Sequence, residues 1–567
     1  MSPAAWSAWP HWVVVPVVLP LMLGAALLLV ERRSIAWAGR LGLAGVVALL
    51  AVSVLLVMRA ATGEIQPYLL GNWRAPFGIA LALDRLSALM VLLTALVGLA
   101  TLLYARGGHD RQGLHFHSLF QFQLMGLNGA FLTADLFNLF VFFEVLLIAS
   151  YGLLLHGAGR ARLAASVHYV SFNLTGSALF LIAVSLLYGL TGTLNMADLA
   201  QRLAQVGPDR AILAQSAALL LIVVFCVKAA LLPLYFWLPA TYGSAGAPVA
   251  ALFAIMTKVG VYAVLRVSTL MFGAGAGAVA GIASPWLEAL ALASLALGAV
   301  GALAAQRMRA LVAYGVVASA GFLLLAVALA RPATVSAALL YLVNSTLASA
   351  ALFLVADRVA VARGPAQDHL RGAPFGDSRL PLAAAFMLMA IAASGMPPLA
   401  GFFGKALLLQ GAATHPWSAT VVAVVLASSL LLVVAFARAG SVVFWLPARA
   451  MSPAIPRQAP TDAPVAAARS HDLGLGVLVG LLIACAVWAG PISAYTQATA
   501  AQLFEPQRYR AAVLDAAPVP PAFDVRREMR EAGLLKSPPP ARDAPAGVAP
   551  PAPAKPAVMP TAPGVTP

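Results

Sequence analysis

Lysine is nearly missing from this chain: of 35 basic residues among 567, five are lysines. Two of them, Lys536 and Lys555, lie in a proline-rich tail, whereas Lys228, Lys258 and Lys405 fall inside long apolar stretches. Charge of any sign is scarce at 10%, where a soluble domain carries about 25%; hydrophobic residues reach 62% and mean hydropathy is +0.90. A soluble globular enzyme is thereby excluded, and the chain reads as an all-α polytopic membrane protein. Cysteine is almost absent too. Cys226 and Cys485 each stand alone, with no CxxC or Cys/His spacing, so no zinc, haem or iron–sulfur site is expected, nor any other metal or cofactor. Residues 1–11 hold no lysine or arginine, which argues against a cleavable signal; Trp12–Val30, followed by Glu31-Arg32-Arg33, reads as an uncleaved first span. The net charge of +15 does not imply nucleic acid as a partner. The arginines occur in ones and twos at segment ends, without a basic stripe interleaved with aromatics.

What the chain has in abundance is apolar segments. A helical span needs around 20 apolar residues. Fourteen are expected: 12–30, 36–58, 86–104, 117–133, 135–155, 165–190, 212–238, 246–269, 283–304, 310–330, 333–356, 380–413, 417–438 and 473–495. Pro233 interrupts the seventh, and Gly395-Met396-Pro397-Pro398 interrupts the twelfth, because proline removes a backbone donor. Most loop arginines, including Arg32, Arg33, Arg106, Arg111, Arg307, Arg309, Arg358 and Arg363, fall in alternate loops. The positive-inside rule makes those loops cytoplasmic and puts both termini on the outer side of a bacterial inner membrane. Met196–Val206 is expected as a short amphipathic helix on the outer surface. Residues 448–472 read as a Pro/Ala/Arg loop, and from about 515 the chain is too rich in Pro and Ala to bury a core.

The charges within the spans are the informative ones. A lysine at bilayer depth costs roughly 2.5–3.5 kcal/mol on insertion scales. Glu144, in LFNLFVFFEVLLIASYG, lies about 14–17 Å from either end of its helix. Lys228, in VVFCVKAALLPLYFW, and Lys258, in ALFAIMTKVGVYAVLR, lie more than about 12 Å from both ends of theirs, beyond the reach of snorkelling. Lys405, in PPLAGFFGKALLLQG, follows the double proline by one to two turns. The plain alternative is structural ion pairing. It fails on stoichiometry, since Glu144 is the one mid-depth acid for three lysines, Asp135 and Glu288 lying near span ends. A desolvated lysine can release its proton whereas arginine cannot, so the set reads as a proton route. The two helix breaks near Lys228 and Lys405 agree with this, because broken helices at membrane depth favour ions.

Other signals weigh less. His168, near the inner end of the sixth span, is a candidate for proton entry, though such a histidine is more often an interfacial residue. His109, His115 and His117 share a short loop without metal spacing. Gly273–Ala278 has the glycines of a phosphate loop but no preceding strand, so it reads as a flexible connection.

The runs FNLFVFFEVLLIASYGLL, VKAALLPLYFWLPATYGSAGAPVAALFAIMTKVGVYAVLR and GMPPLAGFFGK resemble the antiporter-like subunits shared by Mrp-type cation/proton antiporters and respiratory complex I. Within them the resemblance, over about residues 12–495, is to the D-type subunits of Mrp and Pha antiporters. It implies two inverted five-helix repeats with broken seventh and twelfth helices. The corresponding division is 1–116 for the first three spans, 117–269 and 283–438 for the repeats, 439–495 for a loop and last span, and 496–567 for a Pro/Ala-rich tail. It also implies that Glu144 modulates Lys228, that Lys258 relays, and that Lys405 connects to the other side through water. Partners implied are other antiporter subunits, protons and Na⁺ or K⁺. The alternative within the resemblance is a proton-pumping subunit of an NADH:quinone oxidoreductase or membrane hydrogenase. One departure stands out: complex I homologues often carry a lysine or histidine around spans ten and eleven, and here 310–330 and 333–356 hold no charge.

Overall fold

A computed structural model describes residues 9–376, 378–446 and 465–517. The N-terminal helices are α1 (Val15–Val30), α2 (Ile35–Ala60) and, after a β-hairpin, α3 (Arg85–Ala105). Next come α4 (Phe116–Leu132), α5 (Leu136–Leu155), α6 (Arg160–Thr191), α7 (Met196–Leu203), α8 (Ala211–Ala229), α9 (Trp237–Ser244) and α10 (Ala247–Leu270). The chain continues with α11 (Ser284–Ala304), α12 (Met308–Ala328), α13 (Pro332–Ala362), α14 (Arg379–Ser394), α15 (Ala400–Ala412) and α16 (Ser418–Gly440). Last are α17 (Val465–Val487), α18 (Ala489–Leu503) and α19 (Pro506–Leu514). Among the described residues eleven helices are long and apolar enough to cross a membrane, and α1 and α14 are shorter apolar helices.

Several boundaries differ from expectation. The fold is not wholly helical: β1 (Gln66–Leu69) and β2 (Ala80–Leu83) pair antiparallel between α2 and α3. The runs are too short to signal a strand by alternation, and the turn residues Gly71, Pro76 and Gly78 between them were the available cue. The stretch 212–238 stops being helical at Ala229. The last expected span begins eight residues early, at Val465, so 465–472 is helix, and a turn at Trp488 separates it from α18. Residues 496–503 and 506–514, assigned to the tail, are helical in α18 and α19; the prolines of these two helices, Pro491 and Pro506, fall in first turns, where no backbone donor is lost. The rest of the expected 448–472 loop, up to residue 464, and the Pro/Ala tail from 518 lie outside the described residues.

Local polar residues set the helix starts. Asp84 and Ser87 form a reciprocal capping box at α3, Asp135 accepts from the Asn138 N–H at α5 (2.8 Å), and Asn195 caps α7. The α7 helix is amphipathic as expected, burying Met196, Leu199, Ala200 and Leu203.

The packing has a centre. The most apolar stretches of α10 and α13 are buried on every side, whereas those of α2, α16 and α17 are mostly exposed. At one end of α10 the Arg266 guanidinium forks onto the Asp84 carboxylate, 2.9 Å at Nη2, with the Tyr262 hydroxyl 3.1 Å away and Tyr509 against its face. The partner, 182 positions away in sequence, keeps this arginine buried. Arg266→Met leaves Asp84 buried and unpaired, and is expected to destabilise the protein by about 3–5 kcal/mol. Thermal unfolding of the purified protein checks this, and an unchanged midpoint would refute it.

Candidate functional site

The α8 helix ends because Ala230 takes a left-handed conformation and Pro233 cannot continue the ladder. The freed groups find partners: Trp237 Nε1 donates to the Val227 carbonyl (3.2 Å), and the Leu232 N–H donates to Ser294 Oγ on α11 (2.7 Å). Lys228 occupies the last turn of α8. The second break, from Gly395 to Leu399 and containing Pro397 and Pro398, follows α14. Here Asn344 Nδ2 on α13 donates to the Ala392 carbonyl (2.9 Å).

Lys405 lies beyond this second break on α15, yet its amine reaches back to donate to the Ser394 carbonyl (2.6 Å) and to Ser429 Oγ (2.9 Å). Gly395 makes that path possible: a Cβ there would lie 2.7 Å from Lys405 Cδ, and its φ of +76° suits glycine. In sequence one lysine precedes its break and the other follows. In space the Lys228 amine turns to Asn173 on α6, whereas the Lys405 amine sits at the C-terminal end of the half-helix before its break. Unpaired carbonyls there carry roughly half a negative charge, which favours a cation without a carboxylate.

Glu144 on α5 is half-buried and accepts a short hydrogen bond from Ser177 Oγ on α6. One turn earlier on the same helix, Asn173 meets Lys228: its carbonyl oxygen lies 3.4 Å and its Oδ1 3.3 Å from the Lys228 amine. Residues 173 and 177 share a face. The acid and the amine thus each bond α6, one turn apart, and among the described residues Glu144 and the three lysines take part in no ion pair. Phe143 adds an aromatic face 5.9 Å from the Lys228 amine.

Lys258, on the enclosed helix α10, has no exposed surface; its amine donates to Ser319 Oγ on α12 at 2.9 Å. Two residues on, Gly260 lets α10 press against the end of α8, where a Cβ would lie 2.4 Å from the Ala229 nitrogen and 2.8 Å from the Lys228 carbonyl carbon. The helices bearing Lys228 and Lys258 therefore touch backbone to backbone. His168 lies elsewhere: it is exposed on α6, about 12 Å along the axis from Arg160, without a hydrogen bond to any of the four charged residues.

Sequence reasoning missed the polar residues around these charges: Asn173 at Lys228, Ser177 at Glu144, Ser319 at Lys258, Ser429 at Lys405, and Asn344 at the second break. Their signal was present as hydroxyls and amides in otherwise apolar spans, but only the fold shows which face the lysines.

The family described as NADH:quinone oxidoreductase/Mrp antiporter, TM matches residues 133–431, from just before α5 into α16. A Rhizobium meliloti (strain 1021) protein, named as the probable D-type subunit of a K(+)/H(+) antiporter, is 41% identical over 542 residues, covering 89% of this chain and 98% of that protein. The corresponding D-type subunit of the Na(+)/H(+) antiporter of Bacillus subtilis (strain 168) is 36% identical over 512 residues, covering 89% and 99%. Among solved structures, a chain of the Mrp complex from Dietzia sp. DQ12-45-1b superposes with a TM-score of 0.77 at 27% identity, covering 89% of this chain and 99% of that one. Resemblance in sequence, family match and superposition thus coincide over the segment that carries the buried charges, and the chain belongs to the NADH:quinone oxidoreductase/Mrp antiporter transmembrane family.

Proposed function

We propose that this chain is the D-type subunit of a hetero-oligomeric monovalent cation/proton antiporter, a secondary transporter in which Glu144, Lys228, Lys258 and Lys405 relay protons at mid-membrane. The observation that carries this is the continuity of the buried polar line: Glu144 to α6, α6 to Lys228, α8 against α10, Lys258 to α12, and Lys405 at the second break. Amines held by carbonyls and hydroxyls rather than by carboxylates keep a transferable proton without forming a static salt bridge. Glu144 and Lys228, each bonded to α6 and not to one another, correspond to the separated state of that pair, in which Lys228 passes its proton to Lys258. His168, on the exposed face of α6, is the proposed inner entrance.

The finer architecture belongs to the same reading. Fourteen spans are formed when α1, α4 and the pair α14–α15 are added to the eleven long helices, with the repeats at 117–269 and 283–438 inverted. A buried lysine beside each of the two breaks, Lys228 and Lys405, supports such a repeat. Both termini face outward, and other antiporter subunits complete the complex. The names of the relatives at 41% and 36% identity favour this over an oxidoreductase component.

Vesicles containing the whole assembly test the proposal, with Na⁺ and K⁺ compared. Either cation is expected to collapse an imposed pH gradient, and Glu144→Gln and Lys405→Ala are each expected to slow the collapse roughly 10²-fold. Unchanged rates in both variants would sink it.

A further inference from the structure

The gap between Lys258 and Lys405 is spanned by α12 and α13, whose segments 310–330 and 333–356 hold no charged residue or histidine. They hold hydroxyls instead. Ser319 Oγ, which accepts from the Lys258 amine, lies 3.3 Å from Ser345 Oγ on α13. Tyr341, Ser345 and Ser349 recur every fourth residue and share one face of this enclosed helix. All four hydroxyl residues are buried and line one small cavity with room for about one water molecule. The same cavity reaches Ala393, the neighbour of the Ser394 carbonyl that holds Lys405, and the Tyr341 ring lies 5.9 Å from the Lys405 amine. Buried hydroxyls in an apolar helix cost free energy unless they are hydrogen-bonded; here Ser319 Oγ donates to Ser345 Oγ, and Ser345 Oγ reaches the Leu342 carbonyl at 3.3 Å.

We infer that Ser319 and Ser345, with water in the cavity they line, carry the proton between Lys258 and Lys405, an inference that rests on the proton route proposed above. The Lys258 ammonium gives a proton to Ser319 Oγ as Ser319 gives its own to Ser345 Oγ. Ser345 then gives one to the water, and the water gives one to the free Lys405 amine. Each hydroxyl and the water gains and loses one proton, so all end unchanged. Lys258 ends neutral and Lys405 ends as the ammonium, received by the Ser394 carbonyl and Ser429.

Threonine and valine have nearly the same shape and differ by the hydroxyl, which makes Ser345→Thr and Ser345→Val a matched pair. In proteoliposomes of the assembled complex, Ser345→Val is expected to slow cation-driven proton movement roughly 10²-fold, with Ser345→Thr close to wild type. The solvent deuterium isotope effect is expected to rise in Ser345→Val, because the internal proton step becomes limiting, while the amount of assembled complex and its melting midpoint stay unchanged. Ser319→Thr and Ser319→Val provide the same comparison at the first hydroxyl. Wild-type rates in both valine variants would overturn the relay, as would slowing that follows only the loss of assembled complex. Lys258→Ala and Lys405→Ala serve as controls. If these are inactive while the valine variants are not, only the relay fails; if they too transport normally, the proposed route itself fails.

Discussion

Lys258→Ala is expected to halt exchange, lowering the rate of cation-driven pH collapse by roughly 10²-fold or more while leaving the protein as stable as before. The loss of rate follows from position. Lys258 stands on the most enclosed helix, between the contact with the end of α8 and the hydroxyls of α12, and among the described residues its amine bonds only Ser319. The retained stability follows from the energetics. A buried amine without a carboxylate is a cost to the fold, so its removal relieves a penalty and leaves Ser319 with Ser345 as a partner. Lys258→Arg separates charge from proton transfer. Arginine keeps the cation but does not give up its proton, so it is expected to be as slow as alanine. A structural cation would be rescued by arginine. Dye-reported pH collapse in vesicles, read beside the melting midpoint of the purified assembly, decides between them; an active Lys258→Arg would defeat the relay.

The second large effect is expected at Gly260, a residue without any chemistry of its own. A Cβ at this position would stand 2.4 Å from the Ala229 nitrogen, a separation real side chains do not tolerate, and the obstacle is backbone that cannot swing aside. Gly260→Val must push the end of α8 away from α10, at an overpacking cost of about 1–3 kcal/mol or more. It also moves Lys228 away from Lys258. Proton steps between groups depend on hydrogen-bond reach, so a displacement of about 1 Å is expected to slow exchange by roughly 10²-fold. Gly260→Ala is expected to fall between valine and wild type in both melting midpoint and rate. A valine variant that melts and transports like wild type would show that the close contact of α8 and α10 is dispensable.

The buried charges and the breaks were legible in the chain because each violates a strong rule. Lysine within an apolar run is costly, and a proline inside a helical run breaks it, so Lys228, Lys258, Lys405, Glu144, Pro233, Pro397 and Pro398 stand out against their surroundings. Serine, threonine and asparagine violate no comparable rule. They occur in spans for packing as often as for function, so Ser319 and Ser345 could not be told from Ser166 or Ser185 by sequence. Likewise nothing local to Arg266, near the end of its span, reveals Asp84 as its partner. The helical residues within 496–514 were overlooked because alanine, glutamine and threonine give no apolar stripe, so their helicity rests on packing against the rest of the protein.

Taken by itself, the chain determined its class, the depth of its ionisable residues along each helix and the positions at which helices must break, since hydropathy, rise per residue and backbone donors are local properties. Tertiary structure alone decided what faces each amine. The face of α6 that both Glu144 and Lys228 bond, the backbone contact at Gly260, the reach of Lys405 to the Ser394 carbonyl and the hydroxyl-lined cavity beside α13 all join segments that are not neighbours in sequence. Helices rotate and pack to satisfy their whole apolar surface at once, so the neighbour of any single polar atom follows from the sum of those contacts and not from the residues on either side of it.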